Sequence, residues 1–237
     1  MIDLSADLGE GSPGEEEIWP LISSANVACG GHVGDRESMS YAVRRARELR
    51  VRLGAHPSYP DRANFGRKSM AMAPAALRAS LVEQITALRE VAAREGVSVH
   101  HVKPHGALYN DAHHDSALAA VIVAALRQVD RALAIVVSDT SQMASAARAA
   151  GTPVIREAFA DRRYNADASL VSRKEAGSLL SIEEAADQAE SLVRRRAVTA
   201  RDGSRVAIAF DTICIHADMD QALERLRAVH QRLGGMA

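Results

Sequence analysis

Short apolar runs that end in Gly, His or Asp alternate along this chain with longer segments whose apolar residues recur every three or four positions. A strand period alternating with a helix period is the pattern of repeated βα units, which build a parallel sheet covered by helices. Strands are predicted near 2–6, 22–28, 51–55, 97–103, 133–137, 153–156 and 206–215, seven in all. Seven such strands in 237 residues fit one α/β domain over 1–237, a seven-stranded (β/α) barrel. A chain of this length removes roughly 70% of its unfolded surface from water, so its core holds the fold without a disulfide or structural metal.

Local signals mark the helices between the strands. One opens at Pro74, carries Leu77, Leu81, Ile85, Leu88 and Val91 on one face, and stops at Gly96. Ser181 followed by Glu184 forms a capping box, and the last helix repeats Leu223, Leu226, Val229 and Leu233. Asp35, Asp115 and Asp139 are expected to cap helices over 36–50, 116–128 and 140–150, and Asp202-Gly203 to turn a small hairpin into the final strand.

A formal net charge of -1, with both signs spread along the chain, leaves no electrostatic footprint for nucleic acid or an anionic membrane. Cys29 and Cys214 match no zinc or redox spacing and read as small apolar fillers near strand ends, as in a reducing compartment. With no signal pattern at the start and no apolar stretch near the roughly 20 residues a membrane span needs, a cytoplasmic location is expected.

The unusual polar residues cluster by position. Asp7 and Glu10 follow the first strand, His32 and Asp35 the second, His56 the third, Lys103 and His105 the fourth, Asp161 the sixth, and His216 and Asp218 the seventh. In a parallel barrel these ends meet on one face, where loops vary chemistry over a rigid scaffold. Alternation separates His100 from His101, so the two have different roles. Lys103 lies in an apolar strand and is either a catalytic or substrate-contacting group or half of a structural ion pair. His and Asp are also the vocabulary of a divalent-metal site that activates water, although no HExxH spacing is present. The chain has no P-loop, GxGxxG or GxSxG motif, so any ATP consumed is bound by another chain.

These motifs resemble one family. Asp3-Leu-Ser-Ala-Asp7-Leu-Gly-Glu10, Ser24-Ala-Asn26-Val-Ala-Cys-Gly-Gly-His32-Val-Gly-Asp35, Gly54-Ala-His56-Pro57, Phe65-Gly-Arg67, His101-Val-Lys103-Pro-His105-Gly-Ala-Leu-Tyr109-Asn110, Glu157-Ala-Phe-Ala-Asp161-Arg162-Arg-Tyr164 and Asp211-Thr-Ile-Cys-Ile-His216-Ala-Asp218 are similar, in order, to those of the LamB/YcsF family, the family of the 5-oxoprolinase A subunit. Ser5, Gly31 and Ala217 depart from the usual Asn, aromatic and Gly, which touches the shape of the pocket and leaves its ionisable positions intact.

The resemblance implies a seven-stranded barrel related to glycoside hydrolases and polysaccharide deacetylases. It also implies a complex with partner subunits B and C that couples cleavage of ATP, a co-substrate, to hydrolysis of the lactam 5-oxoproline (pyroglutamate) to L-glutamate. On that reading Asp7 and His56 act as base or metal ligands, with His105 a third metal candidate. Lys103 and His105 stabilise developing negative charge, and Asn26 with Arg162 holds the substrate carboxylate. Glu10, His32, Arg67, Tyr109, Asp161 and His216 complete the substrate contacts. The alternatives are a stand-alone metal-dependent amide hydrolase or deacetylase and a non-catalytic lactam-binding subunit.

Overall fold

The computed structural model describes residues 2–173 and 175–235. In chain order the elements are β1 (Asp3–Leu8), α1 (Glu15–Ile18), β2 (Ser24–Ala28), α2 (Arg36–Leu49), β3 (Arg52–His56), α3 (Pro74–Arg94), β4 (Val99–Val102), α4 (Gly106–His114) and α5 (Ser116–Val129). There follow β5 (Ala134–Val137), α6 (Gln142–Ala149), β6 (Val154–Phe159), α7 (Ile182–Arg195), β7 (Ala197–Thr199), β8 (Arg205–Ala207), β9 (Thr212–Ile215) and α8 (Ala222–Gly234). Strands β1 to β6 and β9 close into a parallel barrel, with β1 paired to both β2 and β9. The expected seven-stranded (β/α) barrel is what the chain forms.

Alternation sorts each strand into two faces. On β1, Leu4, Ala6 and Leu8 bury themselves in the apolar layer beneath the helices, while Ser5 and Asp7 share polar contacts with other strands across the barrel. Barrel interiors usually fill with layers of branched apolar residues. Here the interior is polar: Asp7, Asn26, His56, His101, Lys103, Glu157 and Thr212 are all buried. Burying so many ionisable groups costs free energy unless each is paired, which explains how interconnected they are.

Several local signals formed as read. Asp35 caps α2 with its carboxylate on Glu37 N and Ser38 N, Asp115 caps α5, and Ser181 with Glu184 makes the capping box of α7. Asp139 does not cap α6. That helix starts at Gln142 with Ser141 as its cap, and Asp139 instead pairs with Arg148. The apolar run 206–215 is two strands: β8 pairs antiparallel with β7 as a small hairpin, and only β9 enters the barrel. Ile208 and Phe210 keep the run buried across the break, so composition gave no sign that the backbone changes partners. Strand β6 runs on to Phe159, three residues beyond its expected end.

Candidate active site at the carboxyl ends of the strands

The deepest part of the site is a charged pair. Lys103 extends from the end of β4 and places Nζ 2.9 Å from Asp7 Oδ1 and 3.2 Å from Oδ2. The same ammonium lies 2.8 Å from Glu157 Oε1 and donates to Cys214 Sγ at 3.1 Å. Burial alone would discharge Lys103, but Asp7, Cys214 and Glu157 hold its pKa well above the ordinary value. Burial likewise pushes Asp7 up, and the charges of His56 and Lys103 override it and keep the carboxyl well below the usual range. The pair is therefore ionised, and Lys103 is a fixed positive charge rather than a base or a nucleophile.

A histidine cluster lies beside it. His56 Nδ1 is 2.7 Å from the Lys103 carbonyl, and His105 Nε2 is 3.0 Å from the Phe65 carbonyl. A carbonyl oxygen only accepts, so each of these nitrogens carries its hydrogen. The inner nitrogens, His56 Nε2 and His105 Nδ1, then face each other at 3.0 Å. Two lone pairs at that distance repel, so a positive centre belongs between them. A proton can fill that role: burial would lower His56, but Asp7, 3.3 Å from its Nε2, and Glu10 raise it. His105, depressed by burial and by the charge of His56, stays neutral and accepts.

Glu10 closes the cluster. Its Oε1 lies 3.0 Å from His32 Nε2, 3.4 Å from His105 Nδ1 and 3.9 Å from His56 Nε2. Burial and the neighbouring Asp7 charge raise Glu10 to about 7. His32, lowered by burial to about 2, is neutral, donates to Glu10 and stacks on the His105 ring at 3.7 Å. Gly66 makes that stack possible: it sits at φ +62, and a Cβ there would come within 2.9 Å of His32 Cβ and 3.0 Å of His105 Cδ2.

Glu10, His56 and His105 can hold a metal ion, since one donor atom from each lies within 4.8 Å of the others. Two imidazoles anchored through their outer N–H groups, with inner lone pairs converging beside a carboxylate, are the donor set and the outer anchoring that divalent metals take. The metal candidates expected from sequence were Asp7, His56 and His105. Glu10 takes the place of Asp7 in this group, because Asp7 is already engaged by Lys103 and Asn26.

Across the mouth, Asp161 accepts from His216 N at 3.0 Å and from His216 Nδ1 at 2.9 Å, and His216 stacks on Phe159. Burial lowers His216 to about 4, so its Nε2 is a lone pair, while His216 holds Asp161 down at about 2 against burial. Arg162 donates to the Val171 carbonyl at 2.7 Å, and its Nε has no partner among the described residues. Arg67 lies over the Phe65 ring and pairs with Asp218, which Arg173 also approaches at 3.5 Å. Tyr109 Oη accepts from Ser138 N at 2.8 Å and meets Phe159 edge-on.

The barrel thus brings most of the expected residues to one mouth. Asn26 stands apart: its amide is consumed between Asp7 and His101 inside the barrel, so it is not placed to take a substrate carboxylate. Of the adjacent histidines, His101 is buried and His100 exposed. Sequence reasoning missed Glu157 and the contact of Cys214 with Lys103. The signal for Glu157 was its place two residues before Phe159 and four before Asp161 on one strand face, hidden by ending that strand at 156.

Among the described residues no helix is long and apolar enough to cross a membrane. The chain is similar to the lactam utilization protein from Thermus thermophilus, whose crystal structure is 41% identical over 99% of this chain and 96% of that one, with a TM-score of 0.93. It shares its fold with a cellobiose-phosphate cleavage protein so described, without established activity, from Enterococcus faecalis, at 12% identity, 99% and 94% coverage and a TM-score of 0.51. The LamB/YcsF family model matches residues 2–236, and the chain belongs to that family.

Proposed function

We propose that this chain is the A subunit of an ATP-dependent 5-oxoprolinase and supplies the pocket in which a lactam ring is opened. The observation that carries this reading is the mouth itself, an ionised Asp7–Lys103 pair beside the Glu10–His56–His105 group, in a chain 41% identical to a lactam utilization protein.

Opening a lactam breaks one C–N bond. A water oxygen joins the carbonyl carbon, the carbonyl oxygen gains negative charge, and the ring nitrogen leaves after taking a proton. Lys103 and Asp7 set the field at the base of the pocket, with Lys103 favouring negative charge that develops above it. His216, held through Nδ1 by Asp161, presents Nε2 to take a proton from water and return it to the departing nitrogen. Arg162, whose Nε has no partner among the described residues, and Arg67 at the rim receive the carboxylate of 5-oxoproline. A divalent ion held by Glu10, His56 and His105 would supply carbonyl polarisation and acidify bound water. His105 suits that ligand role better than oxyanion stabilisation, because its only N–H is committed to Phe65. Without a P-loop here, ATP is bound by the B and C partners, which activate the lactam.

The donor set of Glu10, His56 and His105 also favours a second reading, a metal-dependent amide hydrolase that works alone. Release of glutamate and ADP from 5-oxoproline and ATP separates the two, measured with this protein alone, with B and C alone, and with all three. Coupled release only in the mixture is the expected result. Turnover by this protein with a divalent metal and no ATP would establish the stand-alone hydrolase instead.

A further inference from the structure

One layer below the mouth, the strand register runs Asp7, Asn26, Gly54, His101 around four successive strands. The third position has no side chain. A Cβ on Gly54 would lie 2.1 Å from His101 Nε2, so the imidazole lies across the glycine and reaches Asn26 Oδ1 at 2.9 Å. An amide oxygen only accepts, so the facing His101 nitrogen bears the hydrogen, consistent with a ring that burial and His100 keep neutral, at about 3.

The Asp7 carboxylate decides which way the amide points, because it only accepts, and His101 then holds the oxygen end. With Oδ1 on His101, Nδ2 faces Asp7 Oδ1 at 2.9 Å. The flipped amide would set NH2 against N–H on one side and oxygen against carboxylate on the other. A cavity of about 180 Å³, lined by Ser5, Ser24, Asn26, His101 and Thr212 among others, lies alongside.

We propose that His101 and Asn26 are positioning residues that hold the Asp7 carboxylate from beneath, so that Oδ1 meets Lys103 and Oδ2 faces His56, with Gly54 as the opening through which His101 reaches. An amide does not readily pass a proton on, so this chain of contacts orients Asp7 rather than relaying protons to it. Gly54 is on this account a functional glycine because of the ring it admits.

The proposal's kinetic consequence rests on Asp7 belonging to the reacting site, so its test has one arm within the complete three-subunit complex and one on this protein alone. In the complex, His101→Ala lowers kcat by about 10- to 100-fold with KM unchanged, the scale on which outer-shell orienting partners act. His101→Gln, whose amide donates to Asn26, restores most of it. Gly54→Ala removes no polar group yet reproduces the loss, and the two losses do not multiply in the double variant, because both act through one ring.

On the protein alone, the Asn26 side-chain amide is one of four asparagine amides in the ¹⁵N spectrum and is identified by its disappearance in Asn26→Leu. It should resist solvent exchange in the wild type and in His101→Gln, and exchange fast in His101→Ala and Gly54→Ala. Should His101→Ala fail to fold, Gly54→Ala carries the same test. Retained protection of the Asn26 amide in the folded variants, or failure of His101→Gln to restore turnover, overturns the proposal. Absence of lactam turnover by the wild-type complex would instead strike the functional reading, and the amide measurement would still decide the positioning claim.

Discussion

The two sides of the barrel mouth use the same residue types and shift their histidines in opposite directions. On the β1–β4 side, Asp7 and Glu10 raise His56 against burial, and its Nε2 faces a second imidazole at 3.0 Å. On the β6–β9 side, a single carboxylate, Asp161, fixes His216 through Nδ1 and leaves it neutral, at about 4. The difference lies in the surrounding charges: Asp7 and Glu10 converge on His56 and outweigh burial, whereas at His216 burial, aided by the Arg173 charge, outweighs Asp161. A site that favours positive charge therefore faces one that offers a lone pair.

Removing the charge that organises the first side gives the largest effect. Asp7→Asn keeps the shape and a hydrogen-bonding group, and Lys103 keeps Glu157, so the fold and its assembly with partners survive. Turnover of 5-oxoproline by the complex should fall by about 10²- to 10³-fold, the range one preorganised electrostatic group supplies. A fully active Asp7→Asn variant would remove this carboxylate from the mechanism.

A crossed pair of substitutions sharpens the contrast between the sides. Glu10→Gln should weaken Zn²⁺ or Mn²⁺ binding, followed by calorimetry, by more than the roughly 10- to 100-fold that loss of an outer-shell partner produces. Asp161→Asn should leave that affinity unchanged while slowing turnover, because it disturbs His216 and the Arg162 charge rather than the Glu10–His56–His105 group. Ion binding equally insensitive to both would show that the cluster holds a proton and no metal. The affinity should rise with pH through about 7, since protons on Glu10 compete with the ion below that value.

Signals carried within a few residues were legible in the sequence: strand spacing, the caps at Asp35, Asp115 and Ser181, and the placement of ionisable residues at strand ends. What escaped depends on partners far along the chain. Helix α4, Gly106–His114, was not among the helices expected. Asn26 looked like a ligand for substrate because nothing local says that a ring from β4 crosses Gly54 to take its oxygen. Glu10 joins the metal-competent group because the loop after β1 folds back toward His32 and His105, a closure that spacing does not encode. The polar interior itself was hidden, since an alternating strand does not announce which of its faces turns inward.

The smallest expected effect separates the two sides in the folding equilibrium. His216 is buried and neutral with a folded value near 4, against an unfolded value of about 6.5. Its contribution to stability is fully present above about pH 6.5 and is lost as pH falls toward 4, because only the unfolded chain takes up the proton in that interval. His56 has the opposite sign: its raised value gives stability present below about pH 6.5 and lost as pH rises through the folded value. Urea unfolding between pH 6 and 5 should therefore show stability falling with acid, since His32 and His101, near 2 and 3, act in the same direction as His216. His216→Asn, which keeps a donor for Asp161, should flatten that slope by roughly 1–2 kcal/mol per pH unit, one proton's worth. An unchanged slope would mean that His216 is already protonated in the folded protein, which would make the two sides of the mouth electrostatically alike and remove His216 as a proton acceptor.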